Sequence, residues 1–190
     1  MIDFADDIKQ AVLTLNKGGI IIYPTDTIWG IGCDATNEKA VNKIYKTKLR
    51  SHNKSMIVLL DDVEKLKLYL NEVPEIAISL MEKINTPLTI IYPSAKNLAK
   101  NVFAEDGTVA IRIVRDSFCL ELCKAFNKPL VSTSANISGY TYPLVFRDID
   151  ERLLKSADYI MESGRTLIRQ IKPSTIVKLK SNWDYEIIRS

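Results

Sequence analysis

The sequence predicts an α/β fold with a partly parallel sheet. Three observations carry that prediction. Residues 5–16 place Ile8, Ala11, Val12 and Leu15 at i, i+3, i+4 and i+7, the stripe of an amphipathic helix. The run Ile20-Ile21-Ile22-Tyr23, closed by Pro24, is β-branched and apolar on both faces, as in a buried strand entering a loop. The same helix and strand alternation then recurs along the chain, without an internal repeat, a low-complexity tract or a linker. One domain spanning 1–190 is expected, since 190 residues lie near the ~150 typical of a domain. A chain of that length buries roughly 70% of its unfolded surface, enough to fold without a metal or disulfide staple.

In order, Lys17-Gly18-Gly19 stops the first helix, because glycine accepts the left-handed cap. The buried strand follows at 20–23. Residues 38–48 read as a helix and 56–60 as a second buried strand. Helices are expected at 63–70 and 75–84, then a strand at 88–92. Residues 109–114 read as a strand, 118–126 as a helix and 130–132 as a short strand. Shorter elements are expected at 149–154, 159–161, 175–179 and 186–189. The strand order stays open at this level.

Composition excludes several classes. With 46% hydrophobic and 26% charged residues, 7 Gly and 7 Pro, the chain is neither disordered, collagen-like nor a disulfide scaffold. Its 26 Lys and Arg against 23 Asp and Glu leave a net +3, too small a balance to establish nucleic-acid binding. No apolar run approaches ~18 residues, so no membrane span or membrane contact is expected. The polar start MIDFADDIKQ does not read as a secretory signal. Cys33, Cys119 and Cys123 are odd in number and lack metal-ligand spacing, which fits reduced thiols in a cytoplasmic protein. Cys119 and Cys123, four apart on a helix, read as core.

Chemistry gathers in three segments. The first, Tyr23-Pro24-Thr25-Asp26-Thr27-Ile28-Trp29-Gly30-Ile31-Gly32, leaves a buried strand where α/β folds form ligand crevices. It reads equally as a capped turn. Gly30 and Gly32 admit close backbone approach by a ligand or by a neighbouring strand. Trp29 suits either adenine stacking or the core. The second, residues 46–54, puts Lys46, Lys48, Arg50 and Lys54 together with no acidic neighbour. Such a run suits a solvated helix end, or phosphate bound by a forked arginine and point-charge lysines. The third, residues 129–139, opens from a strand into Ser132, Thr133, Ser134, Asn136, Ser138 and Gly139. Small hydroxyl side chains there expose backbone N–H groups that bind anions, though capped turns look similar. A serine nucleophile is disfavoured: the sole histidine, His52, lies in the basic segment, and no Gly-x-Ser-x-Gly elbow is present.

At these spacings the segments resemble the YrdC-like family, the L-threonylcarbamoyladenylate synthases that begin threonylcarbamoyl-adenosine synthesis on tRNA. The resemblance covers nearly the whole chain. It rests on Tyr23-Pro24-Thr25-Asp26-Thr27, Lys48-x-Arg50 with Lys54, Thr108-Val109-Ala110-Ile111-Arg112, Ser132-Thr133-Ser134-Ala135-Asn136-x-Ser138-Gly139, and Pro173-Ser174-Thr175-Ile176-Val177. It implies a single-domain twisted, mixed open sheet with a positively charged crevice, lacking the C-terminal domain of longer members. Several positions depart from the family pattern. Ser51 replaces a proline after the Lys-x-Arg arginine, and Asn85-Thr86-Pro87 replaces Pro-Gly-Pro. Leu59 stands where some longer members have a threonine-holding histidine, and Val114 where proline follows the strand arginine.

The activity so implied condenses L-threonine, bicarbonate or CO2, and ATP into threonylcarbamoyl-AMP, releasing pyrophosphate. A carbamate formed on the threonine amine attacks the α-phosphorus, which requires anions held in line and no enzyme nucleophile. The resemblance implies Lys48 and Arg50 as catalytic residues. They bind nucleotide together with Lys54, Thr108, Ser134, Asn136 and Arg189. Thr25, Arg112, Ser132 and Ser174 surround threonine, Arg112 pairing with its carboxylate. Mg2+ would accompany ATP, with no metal held by the protein. Lys48 and Arg50 are expected as solvated cations that add little to stability, and Arg189 to serve ATP with little effect on threonine. Partner proteins that carry the group to tRNA are expected, as is contact with tRNA or double-stranded RNA. Two rivals are a non-catalytic RNA-binding module of the same fold and a carbamoyl-transfer domain such as that of hydrogenase maturation proteins. Against the first, aromatics are not interleaved with the basic residues. Against the second, its zinc-type cysteine motifs are absent.

Overall fold

Nine strands hydrogen-bond into one sheet in a computed structural model that describes residues 4–25, 27–51, 56–166, 174–180 and 184–190. The strands are β1 (Ile21–Tyr23), β2 (Gly30–Asp34), β3 (Ile57–Leu60), β4 (Leu88–Tyr92), β5 (Val109–Ile113), β6 (Leu130–Ser134), β7 (Tyr159–Ile160), β8 (Thr175–Leu179) and β9 (Tyr185–Arg189). Their order is β7-β1-β2-β6-β3-β5-β4-β8-β9. The pairs β1/β7, β3/β5 and β4/β8 are parallel and the rest antiparallel, so the sheet is mixed as expected. Six helices accompany it among the described residues: α1 (Ala5–Asn16), α2 (Glu38–Thr47), α3 (Leu66–Tyr69), α4 (Glu75–Lys83), α5 (Ser117–Phe126) and α6 (Glu151–Ser156).

Local chemistry sets the helix ends. The Asn37 side chain accepts from the Lys39 and Ala40 N–H groups, and Asp116 accepts from Cys119 N–H, satisfying orphan donors at the starts of α2 and α5. Gly18 takes φ +74 just beyond α1, the left-handed stop its sequence implied. The stretch read as a helix over 63–70 is a 3-10 turn at Val63–Lys65 running into the four-residue α3.

The sheet faces are covered unequally. On one face Ile22, Ile31, Val58, Ile90, Ile111 and Val131 pack against Val41 and Ile44 of α2, Leu66 of α3, Leu80 of α4 and Leu153 of α6. On the other, Ile21, Tyr23, Leu59 and Leu130 meet Ile8, Ala11 and Leu15 of α1, and Phe118, Leu122 and Phe126 of α5. These two helices cover only part of this second face. The remaining part, across β6, β3, β5, β4 and β8, is left for a crevice.

Strand β2 is absent from the sequence reading, which puts residues 30–32 in the segment after β1 read as either a ligand crevice or a capped turn. Glycine weakens strands, so Gly-Ile-Gly carries little strand signal. Yet all five residues are buried between β1 and β6. Close approach to a neighbouring strand is thus the reading realised: a Cβ at Gly32 would run into the Val131 carbonyl and lie 3.0 Å from the Tyr23 ring. Gly32→Ala is expected to lose about 2 kcal/mol or more in a urea unfolding titration, as overpacked cores do; an unchanged midpoint would contradict this packing.

Candidate active site

The crevice encloses about 260 Å³. Period-two alternation along the strands turns Ser132 and Ser134 of β6, Ile57 and Leu59 of β3, and Ala110 and Arg112 of β5 toward it. Thr25 closes one end, just after β1. Its hydroxyl donates to Ile28 C=O (2.7 Å) and accepts from the Thr27 and Ile28 N–H groups (3.1 and 3.2 Å). The turn-capping and site readings of this segment therefore hold together. Leu59 and Val114, two of the departures from the family pattern, both line the crevice.

Arg112 is 9% exposed and held rigidly. Its Nε donates to Thr89 Oγ1 (3.1 Å) and its Nη2 to Ser174 Oγ (2.8 Å). Arg189, from the C-terminal edge strand, grips the same serine: Nε and Nη2 donate to Ser174 C=O (3.0 and 2.8 Å), and Nη2 also reaches Ser174 Oγ (3.2 Å). Burial lowers the Arg189 guanidinium, with Tyr142 opposing and Arg112 adding to the depression. The last strand is therefore part of the site. Because Arg189 and Arg112 share Ser174, the expectation that Arg189 serves ATP with little effect on threonine is revised. Arg189→Ala should weaken both ligands, each by ~1–3 kcal/mol, the range for a charged hydrogen bond. Calorimetric titration of each ligand checks this, and an effect on ATP alone would contradict the sharing.

Lys48 differs from the solvated cation expected of it. It is 1% exposed, because α2 ends against the loop after β6. Its Nζ donates to the carbonyls of Ser134 and Asn136 (the latter at 2.6 Å) and reaches Asn136 Oδ1 at 3.3 Å. Lys48 C=O in turn accepts from Ser138 N–H (2.9 Å). Burial, and then the Arg50 charge, lower its ammonium to about 7. Lys48 thus lies behind the 134–138 loop, while Arg50, two residues on and half-buried, lines the crevice. The Lys-x-Arg spacing separates a lysine that shapes the loop from an arginine that faces the ligand. Burial lowers the Arg50 guanidinium too, opposed by Tyr45 and Tyr142.

Asn136 also sits behind the crevice wall. It accepts from Ser134 Oγ (2.5 Å) and donates to Tyr140 C=O (2.7 Å), fixing the loop. Thr108 does not line the crevice; its hydroxyl donates to Asp106 (2.6 Å), which pairs with Lys178 at 2.8 Å. Lys54, Asp26 and His52 lie outside the described residues. Trp29 is 4% exposed with its ring centroid 5.1 Å from that of Phe146, so it fills the core. The sequence reading passed over Tyr142, which lines the crevice between Arg50 and Arg189. Its signal was an aromatic in a polar loop just past the hydroxyl-rich segment.

Comparison with known proteins agrees with this geometry. A Sua5/YciO/YrdC family model, described as telomere recombination, matches residues 13–190. The threonylcarbamoyl-AMP synthase of Pseudoalteromonas translucida is 31% identical over 172 residues, covering 89% of this chain and 91% of that protein. A putative threonylcarbamoyl-AMP synthase of Methanocaldococcus jannaschii is 36% identical over 176 residues, 92% of this chain and 80% of that one. The crystal structure of P. abyssi Sua5 complexed with L-threonine superposes with a TM-score of 0.87 at 27% identity, over 100% of this chain. This chain spans 55% of that longer protein. With the family match running over most of its length and the same fold around the crevice, the chain belongs to the Sua5/YciO/YrdC family.

Proposed function

We propose that the chain is a threonylcarbamoyl-AMP synthase, joining L-threonine, bicarbonate or CO2, and ATP with release of pyrophosphate. This synthesis is the first step of N6-threonylcarbamoyladenosine formation on tRNA. One observation carries the reading: Arg50, Arg112 and Arg189 converge with Ser132, Ser134 and Ser174 on a single crevice. Guanidinium forks and hydroxyl donors suit carboxylate and phosphate oxygens. The described lining contains no carboxylate or histidine to serve as a general base or nucleophile. The threonine amine adds to CO2 and its proton passes to solvent, or with bicarbonate a water leaves, giving the carbamate. Its oxygen then displaces pyrophosphate from the α-phosphorus. Alignment of the two anions and cancellation of the charge that develops on the transferred phosphoryl group are what this wall supplies. The names of the curated relatives, and the L-threonine in the P. abyssi Sua5 structure, support the same reading.

Within it, Arg112, Ser132, Ser174 and Thr25 take the amino acid. Arg50, with the loop that Lys48 and Asn136 hold, takes the triphosphate. Mg2+ prefers several oxygen ligands, chiefly carboxylate, phosphate and water. The hydroxyl and guanidinium lining does not suit a resident ion, so Mg2+ is proposed as the companion of the triphosphate, neutralising its charge. Transfer to tRNA by partner proteins, direct RNA contact and a cytoplasmic location belong to the same proposal. No described helix is long and apolar enough to cross a membrane.

The purified protein is expected to release pyrophosphate from ATP only when L-threonine and bicarbonate are both present, with serine reacting poorly. Equal rates with alanine would overturn the substrate assignment. RNA binding without turnover would favour the binding module.

A further inference from the structure

Tyr23, the last residue of β1, is 0% exposed and has no part in the site as described so far. Its ring lies over β2, where residues 30 and 32 are both glycine. A Cβ on Gly30 would approach the Tyr23 Cζ to 3.5 Å, and one on Gly32 would come within 3.0 Å of Cε1 and 3.3 Å of the hydroxyl. The two glycines leave a bare track across β2. Along it the phenol passes from β1 to β6, where Ser132 pairs with Gly32. The Tyr23 hydroxyl lies 2.7 Å from Ser132 Oγ.

The direction of this bond follows from which hydrogens have partners. If Ser132 donated, the phenolic proton would be buried without an acceptor among the described residues, at a cost of about 1–3 kcal/mol. Tyr23 therefore donates, and burial raises its phenol well above the ordinary tyrosine range, so the proton stays. One lone pair of Ser132 Oγ is then occupied. Its own hydrogen has no acceptor among the described residues and is available to whatever enters the crevice. On the opposite side Ser174 Oγ accepts from both Arg112 and Arg189, and its own hydrogen faces Thr89 Oγ1 at 3.0 Å, so that hydroxyl is fully used. The Ser132 hydrogen and the Arg112 guanidinium thus stand at this end of the crevice as donors.

We infer that Tyr23 is a positioning residue that occupies one lone pair of Ser132 and so biases its hydroxyl toward donation into the crevice, favouring an acceptor-only group, the carboxylate of the amino-acid substrate. The inference rests on the amino-acid-activating reading above. An amide N–H or an ammonium turned toward the Ser132 hydrogen would set hydrogen against hydrogen. Removing the phenolic hydroxyl frees Ser132 to rotate and offer both lone pairs, weakening its bias toward donation without touching Arg112.

The test compares calorimetric binding of L-threonine and L-threoninamide to the parent, Tyr23→Phe, Ser132→Ala and the double variant. Tyr23→Phe is expected to weaken L-threonine about tenfold and L-threoninamide less than twofold, narrowing the carboxylate-over-amide preference, with ATP affinity unchanged. In the Ser132→Ala background the same change should add nothing. Equal weakening of both ligands, no weakening, or full additivity would overturn the inference. A merely structural role would move both ligands together. Should Tyr23→Phe fail to fold, Ser132→Ala carries the test: it must narrow the preference by a similar factor, and an unchanged preference overturns the inference. Threonine-independent pyrophosphate release by the parent would instead sink the proposed function. The two failures are therefore distinguishable.

Discussion

Arg50→Ala is expected to reduce threonine-dependent pyrophosphate release by ~100-fold or more, the scale for losing one preorganised group that meets developing charge. Arg50 lines the crevice from the segment after α2, and its guanidinium is drawn down by burial. Arg50→Lys should recover little, because an ammonium is a point charge and cannot reproduce a forked contact with phosphate oxygens. The unfolding midpoint should move by only a few degrees, since the chain path there is held by backbone bonds such as Arg50 N–H to Tyr45 C=O (2.9 Å). Steady-state kinetics with each substrate varied, beside thermal unfolding, provides the check. Unaltered turnover in a folded Arg50→Ala protein would return this segment to a solvated role.

Lys48→Met should reduce turnover comparably but, unlike Arg50→Ala, should also lower stability. The reason is geometric. Lys48 Nζ partners the carbonyls of Ser134 and Asn136 in a buried setting, and removing it strands two acceptors at about 1–3 kcal/mol each. The pH dependence gives this residue a distinct signature. Its ammonium is lowered to about 7 from an ordinary 10.5, by burial first and by Arg50 second. Between those values the unfolded chain holds a proton that the folded chain has released, so this group's contribution to stability rises with pH across the window. Below about 7 both states are protonated and the full penalty of burying the charge remains. ATP affinity should run the other way, falling as pH rises past about 7, because the neutral amine has fewer hydrogens with which to hold the loop. Unfolding titrations from pH 6 to 10 should show this slope in the parent and lose it in Lys48→Met. Equal slopes in both would remove Lys48 as its source.

Much of the fold was legible because its elements carry strong local signals. The stripe of α1, the run 20–23 and the glycine stop after the helix need only neighbours in sequence to act. The missed strand, β2, shows the complement. Gly30 and Gly32 lower strand propensity, and what makes them a strand is burial between β1 and β6, with Ser132 opposite Gly32. The crevice residues split in the same way. Motifs along the chain marked Thr25, Arg50, Arg112, Ser132, Ser134, Ser174 and Arg189, and all seven line the crevice. No motif could tell Lys48 from Arg50, since both are cations two positions apart.

By itself the sequence determined most of the helices and strands, β2 excepted, that the sheet is partly parallel, and which side chains have the chemistry to hold anions. It did so because hydrophobic period, glycine stops and residue type are properties of short stretches. Only the tertiary structure decided direction and company. It buries Lys48 behind the 134–138 loop, joins Arg112 and Arg189 on Ser174, and passes the Tyr23 phenol over two glycines to Ser132. Those outcomes depend on strand order. Hydrogen bonds reach only ~3 Å, and pairs 109 residues apart, such as Tyr23 and Ser132, meet only once β1, β2 and β6 have assembled side by side.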